Sequence, residues 1–153
     1  MPGALARTGV IKTPHGDIKT PAFIVVGTKA NVKAMVPEMV RGVGAQAVLA
    51  NAYHLYLQPG HDLIERAGYL SKFMNWDGPT FTDSGGFQVL SLGSGFKKVL
   101  AMSTDVKEEI AIAKKSSRHA WVDDDGVMFK SHVDGSMHKF TPELSMQIQA
   151  GIG

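Results

Sequence analysis

Asp83 stands at the end of an apolar run and is followed by Ser84, Gly85, Gly86 and Phe87, within the decapeptide FTDSGGFQVL. A carboxylate can accept hydrogen bonds from the edge of a flat heterocycle, or carry a proton to and from it. Paired glycines remove side chains and let a planar ligand approach the backbone. A phenyl ring offers a stacking face, worth about 1–3 kcal/mol for a base on an aromatic. The grouping therefore suits a nucleobase-like ligand. A second reading stays open on spacing alone, in which DSGG is a loop whose Asp caps its own backbone. Asn51 and His54, in LANAYHLY, follow an earlier apolar run. They reach the same rim if both runs are parallel strands, and are otherwise a turn Asn and a half-buried His.

Other patterns carry less. His54 and His61 are seven residues apart with no third ligand in view, a spacing that matches no familiar metal site. WVDDDGVM has the look of a calcium loop. It fails because Trp121 stands where the first Asp is needed and His132 where the bidentate Glu is needed, and a turn into the following hairpin explains the run better. SLGSGFKK lacks the full spacing of a phosphate loop. Lys97, Lys98, Lys107, Lys114, Lys115 and Arg118 could touch phosphates, but Asp105, Glu108 and Glu109 lie among them and suit a solvated helix face.

The elements that must position these residues fit into one domain of 153 residues, long enough for a hydrophobic core. A hydrophobic share of 44% and a charged share of 20% are those of a globular chain. The net charge of +2 is compatible with a polyanionic partner without demanding one. With no cysteine, disulfides and thiolate metal sites are excluded within the chain. No apolar run approaches the roughly 20 residues that span a bilayer, and MPGALARTGV lacks the apolar core of a signal peptide. A cytoplasmic protein with no membrane partner is expected.

GVIKT and DIKTPAFIVVG flank the turn signal PHGD and predict an N-terminal hairpin, with AFIVV continuing as a strand buried on both faces. VPEMVRGVG predicts a helix from Pro37, stopped at Gly42 or Gly44. AQAVLANA is a second strand, DLIERAGY a helix ending at Gly68, SKFMNW a short helical turn, and PTFT a third strand leading into Asp83. Strand–helix alternation implies a parallel sheet with crossover helices. Periodicity does not separate a (β/α) barrel from a doubly wound sheet. Residues 94–120 read as an exposed helical insertion with a capping box at Asp105 and Glu108. VMFKSHV and MHKFT flank Asp134-Gly135, a hairpin signal, and TPELSMQIQA starts a helix capped by Thr141.

FTDSGGFQVLSL, with TPAFIVVGTKANVKAMVPE, GAQAVLANAYHLYLQPG, FMNWDGP and FKSHVDGSMHKFTPELSMQIQ, resembles the tRNA-guanine transglycosylase (queuine tRNA-ribosyltransferase) family from about residue 8 onward. The resemblance implies an α/β chain forming the N-terminal part of a (β/α)8 TIM-like barrel. It divides into an N-terminal antiparallel hairpin cap (1–22), three barrel strands with their helices (23–93), the insertion (94–120), a β-hairpin insertion (121–141) and a helix (142–153), all in one partial domain. It also implies exchange of guanine in a tRNA anticodon for a 7-deazaguanine, a queuosine precursor, through a covalent enzyme–ribosyl intermediate. In that scheme Asp83 is the general acid/base. Ser84, Gly85 and Gly86 form the pocket floor, Phe87 stacks on the base, Val26 and Leu49 line the nucleoside side, and Asn51 hydrogen-bonds Asp83.

The same resemblance places the family's nucleophilic Asp, its further base-recognition residues and its Cys/His zinc site downstream of this chain. The implied partners are tRNA, guanine and a 7-deazaguanine base, with a homodimer as the family's habit. No cofactor is expected from these 153 residues themselves, and the isolated chain is expected not to turn over. The alternative is a truncated, non-catalytic paralogue acting as a tRNA-binding or partner-subunit module. Retention of Asp83 and Phe87 weighs against it, because a scaffold has no need of that pair.

Overall fold

The computed structural model describes residues 3, 5–88 and 120–153. The expected helical insertion, except for Ala120, lies outside the described residues, as do its lysines and Arg118. The chain falls into two compact units, Met1–Ser84 with Gln147–Gly153, and Gly85–Met146.

The first unit opens with an antiparallel hairpin, β1 (Gly9–Thr13) and β2 (Gly16–Thr20), in which Ile11 faces Ile18. Ile18 is fully buried and anchors the hairpin to the core. Gln46 extends the hairpin's ladder with its side-chain amide. Its Oε1 accepts from the Lys19 N–H at 2.8 Å and its Nε2 donates to the Lys19 carbonyl at 3.1 Å. Next come β3 (Val25–Val26), α1 (Pro37–Gly42), β4 (Val48–Asn51), α2 (Ala52–Leu57), α3 (His61–Arg66), α4 (Tyr69–Phe73) and β5 (Thr80–Asp83). Strands β3, β4 and β5 form a parallel sheet in that order. The strand–helix alternation in the sequence predicts that arrangement.

Two details of this unit differ from the sequence reading. The run AFIVV yields only a two-residue edge strand, and Phe23 and Val26 are exposed rather than buried on both faces. β3 pairs with β4 alone, so its outer edge has no strand over it among the described residues. The second difference is α2, which begins directly after β4 where the sequence offers no separate helix signal. Asn51 is the last residue of β4 and also the N-cap of α2, accepting from the His54 N–H through Oδ1 at 3.0 Å. That bond satisfies one of the orphan donors of the helix start and allows the strand to pass into a helix with no loop.

α1 starts with Pro37 at its first positions, and Val36 ahead of it makes no side-chain cap. Trp76 is buried between α4 and β5, and its indole N–H donates to the Pro79 carbonyl at 3.1 Å. Arg41 covers the ring 4.7 Å from its centroid and also pairs with Asp77. These contacts fix the approach of the chain to β5.

In the second unit β6 (Ala120–Asp123), β7 (Gly126–Lys130) and β8 (Met137–Phe140) form an antiparallel meander. The sequence reading expected one hairpin and took WVDDDG as a turn leading into it. The structure adds β6 as a third strand. Asp123 Oδ1 accepts from the Asp125 N–H at 3.0 Å and closes the β6–β7 turn. The Asp134-Gly135 connection is wider than a two-residue turn. Ser131 N–H bonds the Ser136 carbonyl at 2.8 Å, and Gly135, at φ 77°, returns its N–H to the Ser131 carbonyl at 3.0 Å.

The final helix, α5 (Pro142–Ile152), is capped by the Thr141 hydroxyl, which accepts from the Leu144 N–H at 3.1 Å. The Glu143 carboxyl is held below its usual range by its own backbone N–H and by the Thr141 hydroxyl. Ile148 and Ile152 are fully buried, and Gly151 and Gly153 lie close against His61 and Tyr69. Among the described residues no helix is long and apolar enough to cross a membrane.

Candidate functional site

Register decides which residues share a face of the parallel sheet. Val26 lies beside Leu49 and Leu49 beside Phe81, while Asn51 lies beside Asp83. Side chains alternate along each strand, so Leu49 and Asn51 share a side of β4, and Phe81 and Asp83 share a side of β5. Val26, Leu49, Asn51, Phe81 and Asp83 therefore lie on one face. Val48 and Ala50, both buried, point to the other, where Val40, Met74 and Trp76 also pack. Thr82 points to that second face as well, and its hydroxyl donates to Gln149 Oε1 on α5 at 3.1 Å.

At the carboxyl end of the first face the polar groups interlock. Asn51 Nδ2 donates to Asp83 Oδ2 at 2.5 Å. The Ala52 N–H donates to Asp83 Oδ1 at 3.1 Å. Asn51 Oδ1 is taken by the His54 N–H, and the Asn51 N–H donates to the Thr28 carbonyl at 3.1 Å. Asn51 is 5% exposed, so its amide works almost entirely inside the protein, while Asp83 is only partly buried. Both carboxylate oxygens of Asp83 thus have a donor from β4 or α2, and the group still meets solvent. Ligands of parallel α/β sheets gather at this end of the strands.

Asn51 and Asp83 are adjacent and bonded, and Val26 and Leu49 share their face. Ser84 follows Asp83 and is exposed. Gly85, Gly86 and Phe87 belong to the second unit. Within it Gly85 adopts φ 77°, a conformation costly for a residue with a Cβ, and is buried. Residues 86–88 begin a helical turn, with the Gln88 N–H bonded to the Gly85 carbonyl at 3.1 Å. Phe87 is 58% exposed.

Two contributors escaped the sequence reading. The Ala52 N–H carries no side-chain signature and appears only once α2 is seen to start there. Phe81 was findable, since it stands two residues before Asp83 and shares its side of the strand. Tyr53 and Tyr56 on α2 have phenols pushed up by burial. The chain has no cysteine, and among the described residues no three His, Asp or Glu side chains converge. The zinc implied by the resemblance has no donor set in these residues.

A family model described as queuine tRNA-ribosyltransferase matches residues 3–153. A queuine tRNA-ribosyltransferase of Roseiflexus sp. (strain RS-1) is 51% identical over 152 residues, covering 99% of this chain and 37% of that protein. One from Desulforamulus reducens is 50% identical over 148 residues, covering 97% of this chain and 34% of the relative. A third, from Ruegeria sp. (strain TM1040), is 51% identical with 97% and 33% covered. The chain thus spans about a third of the length of the relatives it matches. With residues 3–153 matched and identity near one half, the chain belongs to the queuine tRNA-ribosyltransferase family.

Proposed function

We propose that this chain supplies the base-handling part of a tRNA-guanine transglycosylase site, and that its parallel sheet is the opening arc of a (β/α)8 barrel. The observation that carries the reading is the Asp83 carboxylate, which accepts from Asn51 and Ala52 at the carboxyl end of β5 while staying open to solvent. The family supplies the substrate class. In the reaction the bond between guanine and the ribose C1′ breaks, and a carboxylate nucleophile bonds C1′ from the opposite face. Asp83 delivers a proton to the departing guanine and takes one from the arriving 7-deazaguanine. A second displacement then frees the nucleophile. The two-carboxylate logic is that of a retaining glycosidase, and the covalent intermediate lets one base leave before the next arrives.

The nucleophile and the zinc site belong, on the resemblance, to the remaining two-thirds of the relatives' length. Val26 and Leu49 then flank the nucleoside, Ser84, Gly85 and Gly86 form the floor, and Phe87 stacks on the base. The exposure of Phe87 supports that role, because an exposed phenyl ring gains little until something covers it. On this reading the 153-residue chain alone does not turn over.

The test is incorporation of radiolabelled guanine into tRNA by the 153-residue chain and by a version extended to the length of its relatives. The expected result is exchange by the longer protein only, and equal exchange by both would refute the assignment. Phe87→Ala in the longer version is expected to raise the Michaelis constant for the base about tenfold, with a smaller effect on turnover. An unchanged constant removes stacking from the account. The alternative is a binding module without catalysis. Tight, salt-dependent tRNA binding by a longer version that performs no exchange would select it.

A further inference from the structure

The loop after β3 joins β4 with a one-residue irregularity beside Asn51. Gly27 N–H donates to the Leu49 carbonyl at 2.7 Å, a regular parallel-ladder bond. The next rung of a regular ladder would run from the Asn51 N–H to the Gly27 carbonyl. Instead the Gly27 carbonyl accepts from the Ala30 N–H at 3.0 Å, and the Asn51 N–H goes to Thr28, one residue further on. Gly27 and Thr28 therefore form a bulge at the end of an edge strand, a device that redirects a chain next to a working site. Gly27 is buried, and a Cβ there would lie 3.1 Å from Val48 Cγ1 and 3.4 Å from the Asn31 backbone. A Cβ at that position would press on the Val48 methyl group and push the bulge away from β4 by a few tenths of an ångström unless Val48 gave way.

We infer that Gly27 is a positioning residue for the Asn51–Asp83 pair, acting through the bulge. The bulge fixes the Asn51 backbone from the β3 side through the Thr28 carbonyl. The His54 N–H fixes the Asn51 side-chain oxygen from the α2 side. Clamped at both ends, Asn51 has one amide nitrogen left, and it points at Asp83 Oδ2. The part of the inference that concerns base affinity rests on the proposed function. The part that concerns Asn51 geometry does not.

The experiment uses the 153-residue chain and two variants, Gly27→Ala and Gly27→Ala/Val48→Ala, the second removing the methyl group that the new Cβ would meet. Amide hydrogen exchange and the Asn51 side-chain NH2 resonances are read by NMR, and affinity for a 7-deazaguanine by titration. In Gly27→Ala the Asn51 backbone amide is expected to exchange about tenfold faster or more, while the β1–β2 ladder stays as protected as in the parent. The Asn51 Nδ2 proton moves toward the position of a free amide, and base affinity falls. The double variant recovers a substantial part of each change. Unchanged Asn51 signals in Gly27→Ala overturn the inference, as does loss of protection spread evenly over Asn51 and the hairpin in both variants. If Gly27→Ala alone does not fold, the double variant decides: residual loss of protection confined to Asn51 supports the inference, and loss shared evenly with the hairpin overturns it. A parent chain that binds no 7-deazaguanine counts against the proposed function and leaves the exchange readout to judge the bulge.

Discussion

Two aspartates in this molecule gather close hydrogen bonds, and they differ in where their partners come from. Asp83 takes its donors from Asn51 and Ala52, 32 and 31 residues earlier, which only the fold brings near. Asp134 takes its donors from Ser136, two residues away, through both the hydroxyl at 2.7 Å and the N–H at 3.1 Å. The first cluster requires β4 and β5 in register. The second closes a surface loop between groups two residues apart in sequence. The Asp134 cluster also includes His138, whose Nε2 lies 2.7 Å from the Ser136 hydroxyl. Aspartate, serine and histidine together suggest a nucleophile, but here the aspartate binds the serine rather than orienting the histidine. The imidazole is stacked on Phe129, with centroids 5.4 Å apart. The order of contacts is that of a loop clasp and not of a catalytic triad. Residue types alone do not separate a site from a clasp. Sequence distance between partners separates a pairing that the fold holds in place from one that a local loop makes for itself.

The largest expected effect tests that contrast directly. In a version extended to the relatives' length, Asp83→Asn should lower guanine exchange by about 10²–10⁴-fold, the usual range for losing an acid–base group. Its circular dichroism and melting should be unchanged. Asp134→Asn should leave exchange within about twofold, because surface substitutions of this kind change little. If both substitutions cost alike, the distinction between the two aspartates fails.

A medium effect separates their supporting residues. Asn51→Ala removes the cap of α2 and one of the two donors to Asp83. Caps are worth about 0.5–2 kcal/mol, and a side-chain hydrogen bond to a charged group about 1.5–3 kcal/mol. Denaturant unfolding of the 153-residue chain should therefore show a loss of at least about 1 kcal/mol. Ser136→Ala, which removes a local and solvent-reached bond, should cost within about 0.5 kcal/mol. Equal losses would mean that the Asn51 network is no more built in than the loop clasp.

This contrast also explains what the sequence made legible. Asp83 could be read because PTFT ends in it and two glycines follow, a local pattern with a chemical meaning. The parallel sheet could be read because apolar runs alternate with helix signals, Pro37 at a helix start and glycines such as Gly68 past a helix end. α2 could not, because its cap, Asn51, is also a strand residue, and the two signals overlap on one position. β3 was overestimated because AFIVV has the composition of a buried strand, while its burial depends on neighbours outside the run itself. β6 was missed because three successive aspartates read as a turn and masked the short strand before them. The Ala52 N–H and the Gly27–Thr28 bulge are backbone features, and no side chain announces them.

The smallest expected effect concerns the clasp alone. The Asp134 carboxyl is lowered from 3.8 to about 2, first by the Ser136 hydroxyl, then by the Ser131 hydroxyl and the Ser136 N–H. A carboxyl whose folded value lies below its unfolded one favours the closed loop wherever it is ionised in both states. That contribution is complete above about pH 4 and fades as pH falls from 3.8 toward about 2. The group is exposed, so solvent screens it and the change should be local rather than global. Amide exchange at Val133 and Ser136, corrected for its intrinsic pH dependence, should lose protection across that window while the β1–β2 ladder holds. Asp134→Asn should flatten the dependence, because an amide has no proton to gain there. A pH response that survives the substitution would place the titrating group elsewhere, with Glu143, itself lowered by its own N–H and by Thr141, the next carboxyl to replace.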